Sequence, residues 1–313
     1  MHYFATIVVT HFISMTKYLI AIVGPTAIGK TALSIKIAQH YNTEIISADS
    51  RQFFKEMQIG TAVPDAVELA SAPHNFIQHI SVDDPYSVGQ YEKDAIAKIT
   101  ELHKKHDIVV MVGGSGMYVD AVINGLDDFP EITPGTREKL QDLYSNKGLK
   151  ALQELLKEKD PDFYKEVDLS NTQRIIRALE VCLSSGNPFS SYRNQKKKTR
   201  DFVTLKIGLS AERKDIYNRI NTRVDAMIAQ GLVDEVANLL SRKHKNALIT
   251  VGYRELFEYF EGKVSLDRAI ENIKTNTRRF AKRQLTWYRR DGSITWFDYN
   301  YSINEVISYI NTK

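Results

Sequence analysis

The chain has 313 residues, a length that suits one large domain or two ordinary ones. Hydrophobic residues make up 43% of it and charged residues 26%, the proportions of a globular protein with a sizeable core, and no stretch is long and apolar enough to span a bilayer. The single cysteine, Cys182, excludes an internal disulfide framework and suits a reducing compartment, so we expect a cytoplasmic protein without a membrane segment.

The first residues, MHYFATIVVTHFISM, precede every motif described below. Their apolar run is short and has neither a basic start nor a small-residue cleavage site, which argues against a secretory signal peptide. A second methionine, Met15, stands just before the first predicted strand. We therefore expect residues 1–16 to form an N-terminal extension to the folded chain.

Residues 17–123 show strands that alternate with helices. The predicted elements are, in chain order, a strand YLIAIVG (18–24), a helix from Lys30 to His40, a strand TEIISADS (43–50), a helix YEKDAIAKITELHKKH (91–106) and a strand DIVVMVGG (107–114). This alternation predicts βαβ units and a parallel sheet. Because ligands of such sheets bind at the carboxyl ends of the strands, the polar residues at those ends are the candidate site.

The segment GPTAIGKT follows the first predicted strand, opens the first predicted helix and fits the pattern G-x-x-x-x-G-K-[ST]. Its glycines let the backbone curl so that amides converge on phosphate oxygens, while the helix N-terminus and the Lys30 ammonium add positive charge. The Thr31 hydroxyl suits a magnesium ligand. The residues predicted to bind phosphate groups are Gly24, Pro25, Thr26, Ala27, Ile28, Gly29, Lys30 and Thr31.

Helical periodicity dominates residues 124–202, and FVTLKIGLS (202–210) predicts a return to the sheet before further helices. The simplest fold class is α/β, with a P-loop NTPase-like parallel sheet flanked by helices. An all-helical domain is inserted at 124–202, and residues 203–313 complete the core. No strong apolar stripe indicates an interface between copies, so we expect a monomer.

Positive charge concentrates in the later part of the chain. Residues 1–125 carry 9 Lys and Arg against 12 Asp and Glu, whereas the remainder carries 33 against 26. The segments RNQKKKTR (193–200) and TRRFAKRQLTWYRR (277–290) are both basic, and Trp287 and Tyr288 interleave with the second. This distribution favours a nucleic acid as the partner of the later part of the chain.

A phosphate loop alone does not identify the reaction. One alternative is a small-molecule kinase that uses ATP, with Asp49 as its base or magnesium-side carboxylate. Against it, the strand DIVVMVGG ends in glycines where an NTPase usually places a magnesium-binding Asp. Another alternative is a nucleic-acid-binding module that only grips backbone phosphates, although binding alone needs no base beside the phosphate site.

Seven further segments carry a more specific signal. They are DSRQFFKEMQIGTAVP (49–64), DPYSV (84–88), VGGSGMY (112–118), NTQRIIRALEV (171–181), RINTRVDAMIAQGLVDEV (219–236), VGYRE (251–255) and TRRFAKRQLTWYRR (277–290). In order and spacing they resemble the tRNA dimethylallyltransferase (isopentenyltransferase) family, from Lys17 to about Asp291. The resemblance implies that the phosphate loop holds dimethylallyl diphosphate with Mg²⁺. It also implies prenyl transfer to the exocyclic amine of adenine 37, next to the anticodon, in tRNAs reading codons that begin with U.

The resemblance implies catalytic roles for four residues. Asp49 corresponds to the family's general base, a carboxylate that takes the proton of the attacking adenine amine. Ser115 stands where the family more often has Thr and keeps the hydroxyl. Arg219 and Arg223 share one helical face, and one of the two is expected to meet the diphosphate, with the choice left open.

Other positions resemble the family's tRNA contacts. Gln52 suits an amide that reads a base edge, and Phe53 and Phe54 either stack on bases or belong to the core. Thr172 replaces the proline that the family has at the start of its N-P-Q-R segment. The residues expected to bind the anticodon stem-loop are Asp49, Ser50, Arg51, Gln52, Ser115, Arg137, Gln173, Arg174, Lys282 and Arg283.

Overall fold

The structure, a computed structural model, describes residues 16–193 and 198–313. The predicted N-terminal extension therefore lies outside the described residues, apart from its last position. Four residues of the basic segment at 193–200 also lie outside them. Within the described ranges, no helix combines the length and apolar character needed to cross a membrane.

Six parallel strands form one sheet within the described residues. The strands are β1 (Tyr18–Val23), β2 (Ile45–Ser47), β3 (His74–Asn75), β4 (Ile108–Val112), β5 (Val203–Ser210) and β6 (Ile294–Asp298). Their spatial order is β3-β2-β4-β1-β5-β6, so β1 lies at the centre between β4 and β5. A central strand buried on both faces explains the almost unbroken apolar run of β1. The predicted α/β fold class and its parallel sheet are confirmed.

The helices account for most of the remaining described residues. They are α1 (Lys30–His40), α2 (Ala66–Ser71), α3 (Val88–Leu102), α4 (Gly116–Asn124), α5 (Thr136–Lys159), α6 (Pro161–Glu166), α7 (Thr172–Ser185), α8 (Arg213–Ala229), α9 (Leu232–Ala237), α10 (Tyr253–Phe260), α11 (Leu266–Tyr288) and α12 (Ile303–Asn311). The helix predicted at 91–106 begins earlier, at Val88, because the Ser87 side chain accepts from the amide of Gln90 and caps it.

Successive residues of β1 alternate between two apolar layers. Leu19, Ala21 and Val23 belong to one layer, which also takes in residues of α3, α9, α10 and α11. Ile20 and Ile22 belong to the other, with residues of α1 and α12. The strand is therefore held from both sides, which fixes the point at which the chain leaves its carboxyl end.

Residues Asn124–Thr199 form a compact unit, the helical unit, and the other described residues form the sheet unit. In the helical unit, α5, α6 and α7 pack around a small core of their own, and α5 is broken at Gly148, where φ is 73°. The predicted insertion extends to residue 202. In the structure the residues from Arg200 onward group with the sheet unit, because the Arg200 guanidinium donates to two backbone carbonyls of α4.

Candidate active site

The phosphate loop connects β1 to α1 at the carboxyl edge of the sheet. Gly24 has a φ of 139°, and a Cβ at this position would lie 2.6 Å from the backbone oxygen of Leu209 in β5. Only glycine lets the loop pass this closely over the neighbouring strand. Gly29, with a φ of 107°, precedes the first turn of α1, whose free amides face the loop. The loop therefore has the shape of an anion cradle.

Lys30 is the cation of this loop. Its ammonium donates to the carbonyl of Pro25 at 2.8 Å, so it folds back over the loop. Burial lowers the pKa of Lys30 to about 8, with the charge of Arg223 adding to the fall and that of Asp49 opposing it. A bound diphosphate adds negative charge beside the ammonium and so favours its protonated form.

Asp49 lies two residues beyond β2, close enough to Lys30 for their charges to interact. Its Oδ1 accepts from the Arg51 amide at 3.1 Å. Burial raises the pKa of Asp49, and the hydrogen bond and the lysine charge offset part of that rise. A carboxylate whose pKa is higher than usual is a stronger base, which suits it to accept a proton from a bound substrate.

Two hydroxyls meet next to Asp49. Ser115, in the loop after β4, accepts from the Ser50 amide at 3.2 Å, and the two serine Oγ atoms lie 3.1 Å apart. The contact joins the loops that follow β2 and β4, which are neighbours in the sheet. The Ser115 hydroxyl therefore fixes the backbone next to the candidate base as well as lining the cavity.

The two arginines of α8 occupy different places. Arg219 is exposed, and its Nε donates to the carbonyl of Ala27 in the phosphate loop at 2.7 Å. Arg223 lines the cavity, and burial together with the neighbouring Arg219 charge lowers its pKa. Arg223 is therefore the arginine of this pair that lines the cavity, whereas Arg219 contacts the backbone of the phosphate loop.

Gln284 is a site residue that the sequence analysis missed. This α11 side chain is 6% exposed. Its Oε1 accepts from the Thr26 amide at 2.8 Å, and its Nε2 donates to the Gly114 carbonyl at 2.9 Å. One amide group therefore ties the phosphate loop to the loop after β4. The signal was available, because Ala281, Gln284 and Tyr288 have the spacing of one buried helix face.

A cavity of about 530 Å³ within the sheet unit is lined by Asp49, Ser115, Arg223 and Gln284, and by Thr26 of the phosphate loop. Its polar wall carries the candidate base, the two serines and two arginines of α8 and α11. Its apolar wall comes from side chains of α8, α9 and α11. The apolar lining residues include Ile220, Val224, Met227, Leu232, Ile273 and Phe280. A ligand with a charged head and a short hydrocarbon tail matches both walls.

Some predicted tRNA contacts have partners within the chain. The Gln52 Nε2 donates to the carbonyls of Thr61 and Ala62, at 3.2 and 2.9 Å. One Arg51 nitrogen donates to the carbonyls of Asn246 and Ala247. Arg51 also lines the cavity, whereas Gln52 does not.

Phe53 and Phe54 are core residues, 1% and 6% exposed. The ring of Phe53 stacks on that of Tyr91 with centroids 5.1 Å apart. Of the two roles considered for these phenylalanines, base stacking is therefore wrong, because neither ring reaches the surface.

Three predicted tRNA residues lie together in the helical unit. Arg137 of α5 donates to the side-chain oxygen of Gln173 on α7 at 3.2 Å and pairs with the buried Glu180 at 3.2 Å. Arg174 is exposed one position further along α7. The helix begins well without the family's proline, because the Asn171 side chain accepts from the Arg174 amide and caps it.

Lys282 and Arg283 are both exposed on α11. Arg283 lines the mouth of the cavity and lies 5.8 Å from the centroid of the Phe280 ring. Lys282 does not line the cavity and offers its charge to solvent. The same helix therefore presents cations outward and the Gln284 amide inward.

The residues present fit Mg²⁺ bound together with a diphosphate. Among the described residues, no group of three or more His, Cys, Asp or Glu side chains is arranged to hold a metal by itself. Magnesium in phosphate sites takes only one or two protein oxygens and completes its shell with phosphate oxygens and water. The Thr31 hydroxyl, at the second position of α1, supplies such an oxygen.

Comparison with known proteins identifies the family of this chain. The IPP transferase family profile matches residues 52–291. A tRNA dimethylallyltransferase from Christiangramia forsetii is 57% identical, covering 96% of this chain and 99% of the relative. The crystal structure of a tRNA isopentenylpyrophosphate transferase from Bacillus halodurans is 37% identical, with a TM-score of 0.70 over 95% of this chain and 96% of that one.

A eukaryotic dimethylallyltransferase, solved in crystallographic snapshots acting on tRNA, is 26% identical with a TM-score of 0.81. The alignment covers 95% of this chain and 80% of that one. High identity over nearly the full length, the family profile and the shared fold all agree with the motifs described above. The chain therefore belongs to the tRNA dimethylallyltransferase family of prenyl-transferring enzymes.

Proposed function

We propose that this enzyme transfers the dimethylallyl group of dimethylallyl diphosphate to the exocyclic amine of adenine 37, next to the anticodon, in tRNAs that read codons beginning with U. The observation that carries the proposal is one cavity lined by Thr26 of the phosphate loop, by the partly buried carboxylate of Asp49 and by an apolar wall. The position of the adenine and the codon class follow from the family resemblance. We place the enzyme in the cytoplasm, as a monomer.

The diphosphate binds in the loop from Gly24 to Thr31. Backbone amides, including those at the N-terminus of α1, donate to its oxygens, and the Lys30 ammonium and the Arg223 guanidinium neutralise the charge that grows as it leaves. The Thr31 hydroxyl would hold Mg²⁺ together with the diphosphate, and the ion would supply further charge stabilisation there. Arg219 is assigned to supporting the loop, because its Nε already donates to the Ala27 carbonyl.

The transfer forms a carbon–nitrogen bond, breaks a carbon–oxygen bond and moves one proton. The adenine N6 attacks the first carbon of the dimethylallyl group, the carbon–oxygen bond to diphosphate breaks, and the diphosphate leaves with the electron pair. Asp49 takes the proton that N6 loses. The apolar wall contributed by Val224, Leu232 and Ile273 excludes water, which would otherwise attack the same carbon.

An adenine inside a stacked loop must leave the stack to reach this cavity. The base edge would then meet Asp49, Ser50, Arg51 and Ser115, which line the cavity, and Gln52 would act from the same segment. Arg283 at the cavity mouth, Lys282, and the cluster of Arg137, Gln173 and Arg174 provide charge and hydrogen bonds for the anticodon stem-loop.

The test is transfer of labelled dimethylallyl diphosphate to unmodified tRNA in the presence of Mg²⁺. We expect label in a tRNA with adenine at position 37 and none when guanine replaces it. A codon that begins with U is read by adenine at position 36, so changing that base should abolish transfer while adenine 37 is still present. ATP labelled in its γ-phosphate serves as the second substrate. Phosphoryl transfer from ATP without prenylation of tRNA would show the enzyme to be a kinase.

A further inference from the structure

We propose that Glu235 of α9 is a positioning residue that sets the geometry of the base-reading segment through the loop at 58–62, the clamp loop. The inference rests on the proposed function, because it assigns a role in reading the tRNA base. Glu235 is not a cavity-lining residue, so any effect it has on the reaction must pass through the groups it holds.

The Glu235 carboxylate accepts four hydrogen bonds. Its Oε2 takes the amides of Gln58 at 3.0 Å and Ile59 at 2.7 Å. Its Oε1 takes the Gly60 amide at 3.0 Å and the Tyr253 hydroxyl at 2.6 Å. Three consecutive amides that point at one carboxylate form an anion nest, and a charged acceptor makes such bonds stronger than neutral ones.

Tyr253 closes the arrangement from the side of α10. It is fully buried, and a Cβ added at Gly60 would lie 2.6 to 2.8 Å from its ring. The ring therefore lies directly against the clamp-loop backbone, and its hydroxyl reaches the same Glu235 oxygen as the Gly60 amide. The clamp loop is therefore held by packing against the Tyr253 ring as well as by its hydrogen bonds to the Glu235 carboxylate.

The clamp loop in turn holds the Gln52 side chain in place. The carbonyls of Thr61 and Ala62, immediately after the clamped amides, accept from the Gln52 side chain. The backbone amide of Gln52 in turn donates to the backbone carbonyl of Asp49 at 3.1 Å. A chain of direct contacts thus runs from Glu235 to the residues expected to meet the adenine, and Gly60, Thr61 and Ala62 themselves line the cavity.

Glu235→Gln is the most informative variant, because it keeps the size of the side chain but replaces one carboxylate oxygen with an NH₂ group. The four donors that now share two acceptor oxygens would then have only one. We expect kcat/KM for tRNA to fall about tenfold, the order expected for loss of a charge-assisted hydrogen bond. KM for dimethylallyl diphosphate should stay within about twofold of the wild-type value, since no contact of Glu235 reaches the phosphate loop.

A double-mutant cycle with Gln52→Ala separates positioning from general stability. If Glu235 acts through Gln52, adding Glu235→Gln to Gln52→Ala should lower kcat/KM for tRNA by less than about twofold further. Tyr253→Phe removes only one hydrogen bond and offers a milder variant in case Glu235→Gln folds poorly. It should lower the same parameter by about threefold and show the same coupling.

Glu56→Gln is the matched control. Its carboxylate also accepts a backbone amide, that of Val82, and a hydroxyl, that of Ser81, but none of its bonds reaches the clamp loop. It should leave both KM values within about twofold of wild type. Equal losses from Glu235→Gln in the wild-type and Gln52→Ala backgrounds would overturn the positioning role. Failure of the wild-type enzyme to prenylate tRNA would instead overturn the proposed function.

Discussion

At the scale of single residues, the main feature of the site is that its charged groups are desolvated, which shifts their pKa values. Lys30, Asp49 and Arg223 influence one another's ionisation, and burial is the largest cause of each shift in pKa. Each shift favours the less charged form of the side chain. Under the proposed function, a diphosphate and an adenine amine interact with these groups when they bind, so substrate binding and ionisation would be coupled.

The coupling predicts a pH dependence for Lys30. With a pKa of about 8, it loses its charge in the free enzyme as pH rises from 7 to 9.5. The affinity for dimethylallyl diphosphate should therefore fall over that range, since the protonated form binds the anion. Calorimetric titration at several pH values measures the slope. Lys30→Met should bind weakly with a flat profile, and an equal slope in this variant would assign the dependence to another group.

The same pKa has a consequence for stability. The folded chain binds fewer protons at Lys30 than the unfolded chain between pH 8 and the ordinary lysine value of 10.5. The free energy of unfolding contributed by this group therefore rises with pH through that window. Lys30→Met should remove this contribution and raise the thermal midpoint most at pH 7, where the wild-type ammonium is buried and charged. A thermal midpoint that Lys30→Met lowers equally at pH 7 and pH 10 would contradict this prediction.

At the scale of elements, the existence and order of β1, α1, β2, α3, β4 and β5 could be predicted from the sequence, whereas the exact ends of α3 and β2 and the cross-links between elements could not. The glycine pattern and Lys30 located the phosphate loop because their spacing is local. Gln284 escaped notice because its two partners, Thr26 and Gly114, are more than 150 residues away in the chain. Strand β6 was also missed, since it is an edge strand that is paired only with β5.

The link through Gln284 predicts how the phosphate loop responds when α11 is altered. Gln284→Ala leaves the Gly114 carbonyl and the Thr26 amide without their partner, which should raise KM for dimethylallyl diphosphate about tenfold and destabilise the protein by ~1–3 kcal/mol. Thr286→Ala, on the exposed side of the same helix, is the control. Steady-state kinetics and thermal unfolding check both values. Gln284→Ala with an unchanged KM would show that the loop keeps its shape alone.

The helical unit depends on Asp160 in a comparable way. This buried carboxylate accepts from the Phe163 amide at the start of α6 and from the amide and hydroxyl of Ser190. Asp160→Ala should destabilise the unit by ~3 kcal/mol, because three donors lose a charged acceptor in the interior. Limited proteolysis should then cut within 124–199 first. Cleavage that begins in the sheet unit instead would contradict the separate packing of the two units.

At the scale of the whole molecule, charge distribution matches the assignment to a tRNA-modifying family. The sheet unit contains the phosphate loop. It also contains the exposed cations Lys282 and Arg283 of α11, of which Arg283 lines the mouth of the cavity. The charge imbalance between the early and later parts of the chain could be read from the sequence. How the cations are distributed over a folded surface could not, because that depends on which helix faces are covered by the core.

Neutralising one of these cations should change the salt dependence of tRNA binding. Lys282→Ala is expected to reduce the slope of log K against log salt by about 0.7 to 0.9, the amount for one phosphate contact. Lys104→Ala, an exposed lysine at the end of α3, should leave the slope unchanged. Binding titrations between 50 and 200 mM salt, a range that resolves such slopes, give both values. Equal slopes for wild type and Lys282→Ala would remove Lys282 from the tRNA surface.

The most direct test of the account is single-turnover transfer of dimethylallyl to tRNA by Asp49→Asn, with Asp83→Asn as a control on an exposed loop. The asparagine keeps the shape and the hydrogen bond from the Arg51 amide but cannot take a proton. We predict a rate lowered by about 10² to 10⁴, with affinities for both substrates kept within a few-fold, and a wild-type rate that falls as Asp49 is protonated at low pH. A wild-type rate in Asp49→Asn would show that another group accepts the proton.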